Sequence, residues 1–158
     1  MQASGSAPEW LAWLEATAPA AWVRDSAWAY PAVETVHILG FTALVGAAVA
    51  FDLRLLGVTR AIPRAAAARH LLGLSQWSLA VVVPSGLLLF MTQATTTWTN
   101  PAFRLKLLLL AAAGLNALAF RLWGSRSAEG SLGAKIAAVL SLLLWAGVIT
   151  CGRFIAYV

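Results

Sequence analysis

Charged residues are scarce in this sequence. They make up 11% of its 158 positions, against 61% for hydrophobic residues, whereas soluble domains average about 25% charged and about 45–50% apolar residues. So few charges do not cover a surface that faces water, which excludes a single soluble domain and a disordered chain. The composition therefore predicts an integral membrane protein with the lipid bilayer as its main partner.

Cysteines and the common catalytic motifs are also lacking. Cys151 is the one cysteine, which excludes an intramolecular disulfide and any multi-cysteine zinc or iron–sulfur site. The sequence has no glycine-rich phosphate loop, no paired-histidine zinc motif and no serine with a histidine that would activate it. No charged region followed by an apolar core opens the chain, so we expect no cleavable signal peptide. Whether the protein is an enzyme stays open.

The positive charges are spread along the chain. The net charge of +5 forms no basic patch, so we expect no nucleic-acid partner. Seven of the 11 basic residues lie in or beside the first and third connections between apolar runs: Arg54, Arg60, Arg64, Arg69, Arg121, Arg126 and Lys135. The positive-inside rule then predicts that both termini lie on the side away from the cytoplasm.

Four apolar runs are long enough to span a bilayer, at about 31–56, 71–91, 102–123 and 134–156. Pro63 predicts an extension at the start of the second helix, and Pro84 predicts a kink inside it. Asn100 with Pro101 predicts the start of the third helix, and Ser131 predicts a cap for the fourth. Because the connections are short, we predict an all-α, four-transmembrane-helix up-down bundle over residues 31–158.

Residues 1–30 precede the bundle and are rich in tryptophan and tyrosine. Trp10, Trp13 and Leu14 follow Pro8 at helical spacing. Tryptophan and tyrosine favour the headgroup region, so the segment predicts a short amphipathic helix lying on the outer surface of the membrane. Docking onto a partner is the alternative use of such a segment.

Ionisable residues inside the spans are costly, so each indicates either a function or a route to water. In the first span, Glu34, His37 and Asp52 lie on one helical face, which predicts that this face points into the bundle. In the third span, Lys106 shares a stripe with small residues and is predicted to point inward. Arg104 is about 200° away around the same helix and is predicted to snorkel toward water.

Depth in the membrane brings some of these residues together. His37 and Lys106 each follow the proline that opens their helix by five or six residues, so both lie about 8–9 Å along their helices. Glu34 and Arg153 belong to the same outer layer. His70 belongs to the opposite end, on the order of 20 Å away, so the two histidines of one copy are predicted not to share a haem.

Each residue of this layer has two interpretations. His37 is a haem or metal ligand, or a buried histidine hydrogen-bonded to Glu34 or to a neighbouring helix. Lys106 is a ligand or catalytic lysine, or the ion-pair partner of Glu34. Glu34 is then a counter-ion or a proton carrier, and Arg153 either pairs with Glu34 or anchors the helix at the interface.

Other polar and aromatic residues also have candidate partners. Asp52 is predicted to neutralise Arg54 or Arg121. Trp77 and Trp145 either flank a planar cofactor or pack in the core. Asn116 is predicted to hydrogen-bond to another helix, and Cys151 is predicted to be inert packing.

Three segments together resemble an uncharacterised family of small four-helix bacterial inner-membrane proteins: AYPAVETVHILG at 29–40, DLRLLG at 52–57 and NPAFRLKL at 100–107. The resemblance covers nearly the whole chain and brings no established activity. It implies a multi-pass protein of the bacterial inner membrane, in which the predicted outer side is the periplasm.

A looser resemblance is to the four-helix membrane protoporphyrinogen oxidases and the copper-resistance D membrane proteins. The oxidases bind b-type haem through helices with an early histidine and a later lysine, and His37 and Lys106 match that pair in type and order. The aromatic motif that follows the histidine in the oxidases is missing here. The resemblance implies haem b with His37 as axial ligand and Lys106 as second ligand or propionate partner. Arg153 or Arg104 would then anchor a propionate.

Three functions are compatible with these patterns. The first is a haem-binding or redox membrane module that handles porphyrin or passes electrons between a periplasmic partner and the quinone pool. The second is a cofactor-free accessory subunit that packs against a larger membrane complex or a second copy. The third is a transporter of copper or a small cation along Glu34, His37 and Asp52.

Overall fold

The structure is a computed structural model, and it describes residues 8–58, 61–123 and 130–157. Within these ranges the chain is helical and contains no strand, which confirms the predicted all-α class. The helices are α1 (Glu9–Glu15), α2 (Ala18–Asp25), α3 (Ala29–Leu56), α4 (Arg64–Ala67), α5 (Gly73–Thr92), α6 (Ala94–Thr99), α7 (Pro101–Leu122) and α8 (Leu132–Phe154). A π-helical turn over Ala68–Leu72 connects α4 to α5.

Four helical stretches have the length and composition to cross a membrane: Ala29–Leu56, Arg64–Thr92, Pro101–Leu122 and Leu132–Phe154. Their mean hydropathies are 1.8, 1.6, 1.7 and 2.1. The shortest has 22 residues and extends about 33 Å, slightly more than the hydrocarbon layer of about 30 Å. By length and composition, the prediction of four membrane-spanning helices is confirmed.

The helix boundaries follow local sequence signals. The Asn100 side chain accepts a 3.1 Å hydrogen bond from the N–H of Phe103, and the Ser131 hydroxyl accepts a 3.4 Å bond from the N–H of Ala134. Both predicted caps are therefore confirmed, and each satisfies an N–H that has no partner inside its helix. Helix α3 ends at Leu56. The next residue, Gly57, has a φ of 95°, which glycine adopts readily because it has no Cβ.

Helix α3 is the central helix of the structure. It packs against α5 and α8, whereas α7 packs mainly against α8. The backbones of α3 and α5 approach closely at Gly40, where an added Cβ would lie 3.1 Å from Cγ2 of Val82. Eight residues of α3 are buried, but Ala113 is the one buried residue of α7. Most of α7 therefore faces away from the other helices.

The stripe of small residues beside Lys106 is covered in part, since it contains Ala113, which is 7% exposed. Gly114 belongs to this stripe, yet nothing lies within 4 Å of its Cβ position. Helices α7 and α8 approach each other closely at Leu109 of α7, whose Cδ1 lies 3.0 Å from the Cβ position of Gly147 on α8. The space for close packing is thus supplied by a glycine of α8, because α7 contributes a leucine there.

An apolar cluster joins the helices at one end of the structure. Phe51, Leu55, Ala67 and Ala138 are each at most 8% exposed and form its centre. The ring of Phe120 packs edge-on against Phe51, with 5.7 Å between the ring centroids. Through Phe120, α7 reaches α3 at this end although the two backbones are not close neighbours.

The two N-terminal helices dock on the part of the structure formed by α5 and α6. Helix α1 contacts α5 and α6, and α2 contacts α3 and α5. Leu11, Ala20 and Val23 are at most 1% exposed, whereas Trp13 and Trp28 are 68% and 83% exposed. Small and branched side chains therefore face the protein, and these tryptophans lie on the outer surface.

Glu15 fastens α1 to α6. Its Oε1 accepts hydrogen bonds of 2.7 Å from both the N–H and the hydroxyl of Thr95. Arg24 of α2 donates to the Glu15 carbonyl oxygen at 3.1 Å. The side-chain and backbone hydrogen bonds from Thr95 lower the pKa of the Glu15 carboxyl, because they stabilise its charged form.

We predict that the docking of α1 depends on ionised Glu15. The docked state lowers the pKa of Glu15. Its stabilisation of α1 docking is therefore complete above the ordinary glutamate pKa and is lost as pH falls through the lowered value. Glu15→Gln removes the charge from these hydrogen bonds, and we expect amide-exchange protection in α1 to fall roughly fivefold. Hydrogen-exchange mass spectrometry measures this, with Glu9→Gln in the same helix as the matched control. Equal protection in wild type and Glu15→Gln would contradict the prediction.

Candidate functional site

His37 of α3 faces α5 and forms a hydrogen bond with it. The Nδ1 atom of His37 lies 3.0 Å from the hydroxyl oxygen of Ser85. Ser85 is buried at 6% exposure, and His37 is half-buried. This polar contact between two apolar helices holds the imidazole in place. It gives each side chain a hydrogen-bond partner, which lipid would not supply.

The direction of this hydrogen bond determines which imidazole nitrogen stays available. The Ser85 hydroxyl donates its one proton to the carbonyl oxygen of Val81 at 2.6 Å, so its oxygen accepts from the Nδ1–H of His37. The carbonyl of Val82 also interacts with the imidazole. A neutral imidazole protonated on Nδ1 carries its lone pair on Nε2, and no hydrogen bond joins Nε2 to another residue in the described part of the chain.

Gly86 makes room for the histidine ring. A Cβ at this position would lie 2.8 Å from Cε1 and 3.3 Å from Nδ1 of His37. No real Cβ comes that close to a carbon atom, so any larger residue at 86 displaces the ring from Ser85. The glycine is therefore part of the histidine site, although it contributes no polar group.

Two aromatic rings continue the site from α3 to α8. The rings of His37 and Phe41 are nearly parallel, with centroids 6.5 Å apart. Phe41 in turn meets Trp145 edge-on at 6.1 Å. Trp145 therefore packs against an aromatic neighbour, whereas Trp77 is 78% exposed and contributes to no core.

Lys106 of α7 reaches the same region from the opposite side. It is close enough to His37 to act on it electrostatically, and it interacts in the same way with Cys151 of α8. Its Nζ lies 3.9 Å from the Cβ position of Gly152. His37 and Lys106, which the sequence predicted at one level, therefore lie within electrostatic range of each other.

Glu34 does not join them. It is exposed, and the ion pair expected between Glu34 and Lys106 is not formed, since Arg24–Asp25 is the one ion pair among the described residues. Glu34 therefore lies on an exposed part of the face that was predicted to point inward. His37, one turn further, is the first of the stripe to be covered.

The two arginines predicted to anchor a cofactor also lie elsewhere. Arg104 is exposed and donates to the carbonyl of Trp98 at 2.8 Å, with its guanidinium over the Trp98 ring. Arg153 is exposed and donates to the hydroxyl of Tyr157, four residues further along the chain. Each arginine thus bonds locally and is directed to the end of its helix, as expected for a snorkelling side chain.

Of the remaining predicted contacts, one is present and one is absent. Asn116 donates to the carbonyl of Ala137 on α8 at 3.0 Å, which confirms its predicted interhelical bond. Asp52 forms no ion pair with Arg54 or Arg121. It lies near Ser141 instead, which forms a hydrogen bond with it.

Ser85 and Gly86 were missed by the sequence reasoning. A serine and a glycine directly after Pro84 interrupt the apolar run of α5, and this is the signal that marks them. Small polar residues beside a helix-disrupting proline indicate a place where a neighbouring side chain approaches the backbone. Pairing them with His37 needed the alignment of α3 against α5.

The donor set limits the chemistry of this site. The described residues contain no group of three histidine, cysteine, aspartate or glutamate side chains that would hold a metal ion. What they provide is one imidazole with an available lone pair, a lysine ammonium and a thiol, between aromatic rings. This arrangement suits a group that needs one axial ligand and a neighbouring cation, such as a haem with its propionates.

Comparison of the chain with family models, with curated proteins and with solved structures finds no match. The family resemblances of the sequence therefore stay predictions, and the geometry of the site is the basis for a function.

We predict that Gly86→Ala disrupts the histidine site. The new methyl group displaces the His37 ring and breaks its bond to Ser85, at a cost of about 1–3 kcal/mol in the free energy of unfolding. Thermal denaturation in detergent measures this. Gly114→Ala is the matched control, because its Cβ enters open space. In a background of His37→Ala the cost of Gly86→Ala should largely disappear, and an unchanged cost in that background would refute a contact between the two residues.

Proposed function

We propose that this chain is a small membrane haem protein, in which Nε2 of His37 is the axial ligand of a b-type haem. The observation that carries the proposal is the hydrogen bond from Nδ1 of His37 to Ser85, which leaves the lone pair of Nε2 available. Histidines that bind metals are held in this way, since a bond at one ring nitrogen sets the orientation and basicity of the other. When bound, haem supplies one-electron redox chemistry.

The residues of the site fit such a group. Gly86 allows the imidazole to lie against α5, and Phe41 and Trp145 provide aromatic walls of the kind that exclude water from a cofactor. Lys106 is the nearby cation, and it serves as second ligand or as the partner of a propionate. Among the five residues expected to bind a cofactor, Glu34, Arg104 and Arg153 lie further out, where they would contact the haem edge at most.

The arrangement of the helices supports an up-down bundle in a bacterial inner membrane. His37 near the start of α3 contacts Ser85 near the end of α5, and Asn100 before α7 donates to the carbonyl of Ile155 after α8. Both contacts are those of antiparallel neighbours. With the charge bias of the connections, we propose that both termini and the His37 site lie on the periplasmic side. The exposed tryptophans of α1 and α2 suit the headgroup region there.

We predict that the purified protein, expressed with ample haem, shows a Soret band that shifts on reduction with dithionite. His37→Ala should abolish the band because it removes the axial nitrogen. Ser85→Ala should weaken haem binding by roughly 10- to 100-fold, because it removes the group that orients the ligand. Absorption spectra and haem titration measure both effects.

His70→Ala is the matched control, since it removes the other histidine, which is exposed on the π-helical turn. Its spectrum should equal that of wild type. A folded wild-type protein without a Soret band would overturn the proposal, as would a band that survives in His37→Ala.

An accessory subunit of a larger membrane complex is the second candidate. It is favoured by one observation, an exposed face on α7, which has a single buried residue over its whole length. A partner helix on this face would cover it. We predict that, in this case, a partner co-purifies in a fixed ratio from membranes of the native organism and that His37→Ala leaves the ratio unchanged. Leu108→Ser and Leu115→Ser, at exposed positions of α7, should reduce the ratio, and an unaffected ratio would contradict this candidate.

Transport of copper or a small cation is the third candidate, and the geometry supports it least. The route would follow Glu34, His37 and Asp52, yet Glu34 is exposed on the outer surface. His37 and Asp52 alone leave about 22 Å of helix between them. This stretch of α3 is lined mainly by apolar side chains such as Leu44, Val45 and Ala47.

A further inference from the structure

Asp52 is a buried acidic residue far from the proposed haem ligand. It lies on α3 fifteen residues after His37, which corresponds to about 22 Å along the helix. The residue is 6% exposed. Among the described residues, its Oδ2 is the one buried side-chain oxygen or nitrogen with no hydrogen-bond partner. A second polar site of a different kind is therefore present at the other end of the central helix.

The immediate neighbours of Asp52 are mostly apolar. Phe51 and Leu55, beside it and one turn further along α3, are 3% and 8% exposed and belong to the apolar cluster. On α8, Ser141 forms a hydrogen bond with the carboxyl group, and Ala138, one turn before Ser141, is fully buried. One hydroxyl group thus serves a carboxyl group that is otherwise surrounded by hydrocarbon.

The basic residues at this end of the structure are engaged elsewhere. Arg54 of α3 donates to the carbonyl oxygen of Ile62. Arg64 of α4 lies over the ring of Phe120, with 5.5 Å between its Cζ atom and the ring centroid. Arg121 of α7 is exposed. In the described part of the chain, none of them forms an ion pair with Asp52.

These surroundings distinguish between the charged and the neutral form of the side chain. A buried carboxylate with no cation beside it is strongly destabilising, and the protein avoids that cost when the group holds a proton instead. A bound metal ion would need about six oxygen ligands, whereas the neighbours named above supply one, from Ser141. A single proton satisfies the site with the groups that are present.

We propose that Asp52 is a proton-binding site, a neutral carboxylic acid inside the folded protein at neutral pH. The acid exchanges its proton with water at the nearby end of the helices, and Ser141 is its hydrogen-bond partner. Carboxyl groups inside membrane-spanning helices form proton relays in pumps and transporters, where they take up or release protons. The site does not depend on haem, so it stands or falls separately from the function proposed above.

Infrared spectroscopy of an isotope-labelled protein tests this directly. Asp25 and Asp52 are the two aspartates of the chain. In the variant Asp25→Asn, Asp52 is therefore the one aspartate that remains. The experiment uses Asp25→Asn made by cell-free synthesis with aspartate that carries ¹³C in its side-chain carboxyl group, purified without haem in lipid nanodiscs at neutral pH. We expect a band from the C=O stretch of a protonated carboxylic acid. The ¹³C label should lower the frequency of this band, and D₂O should lower it further.

Two further variants assign the band. Asp52→Asn, labelled in the same way with Asp25 retained, should lose it, because Asp25 is exposed beside Arg24 and stays a carboxylate. Ser141→Ala should raise its frequency, because it removes the hydrogen bond to the carboxyl group. If Asp52→Asn does not fold, the Asp25→Asn protein still reports on an unaltered Asp52. Label found only in carboxylate stretches, or a protonated-acid band that disappears on addition of Na⁺ or Ca²⁺, would overturn the proposal.

Discussion

A polar side chain in a membrane-spanning helix must find its hydrogen-bond partner within the protein, because the hydrocarbon layer offers none. The structure depends on how α3 meets this constraint. His37 contacts Ser85 of α5, and Asp52 has Ser141 of α8 as its hydrogen-bond partner. The Leu44 carbonyl also accepts a hydrogen bond from the hydroxyl of Ser75 on α5. These bonds align α3 with both of its neighbours, and apolar packing fills the space between them.

The same constraint separates two polar sites along one helix. His37 has an available ring nitrogen and a lysine nearby, which suits a ligand that bears negative charge. Asp52 has one hydroxyl partner and apolar surroundings, which suits a proton. The stretch of α3 between them is filled by residues such as Leu44 and Ala47, each at most 4% exposed. The two sites thus lie toward opposite ends of α3.

Much of the fold was predictable from local signals in the sequence. Apolar runs of sufficient length indicate spans, and Asn100 and Ser131 mark the starts of two helices because their side chains cap free N–H groups. The candidate site was predictable in part. Helical spacing and depth put His37 and Lys106 at one level, but the same reasoning placed Glu34 beside them. Periodicity defines a face without showing how far the neighbouring helices cover it, and Glu34 lies on an exposed part of that face.

The all-helical class, the four apolar helices and the common depth of His37 and Lys106 follow from the sequence alone, because each depends on spacing along one helix. Three other features come from the packing of the helices: Ser85 holds the imidazole, Gly86 makes room for it, and Asp52 forms no ion pair among the described residues. These facts depend on the register and rotation of one helix against another. Side-chain volumes such as that of Leu109 against Gly147 set that register, and a single-helix pattern does not contain it.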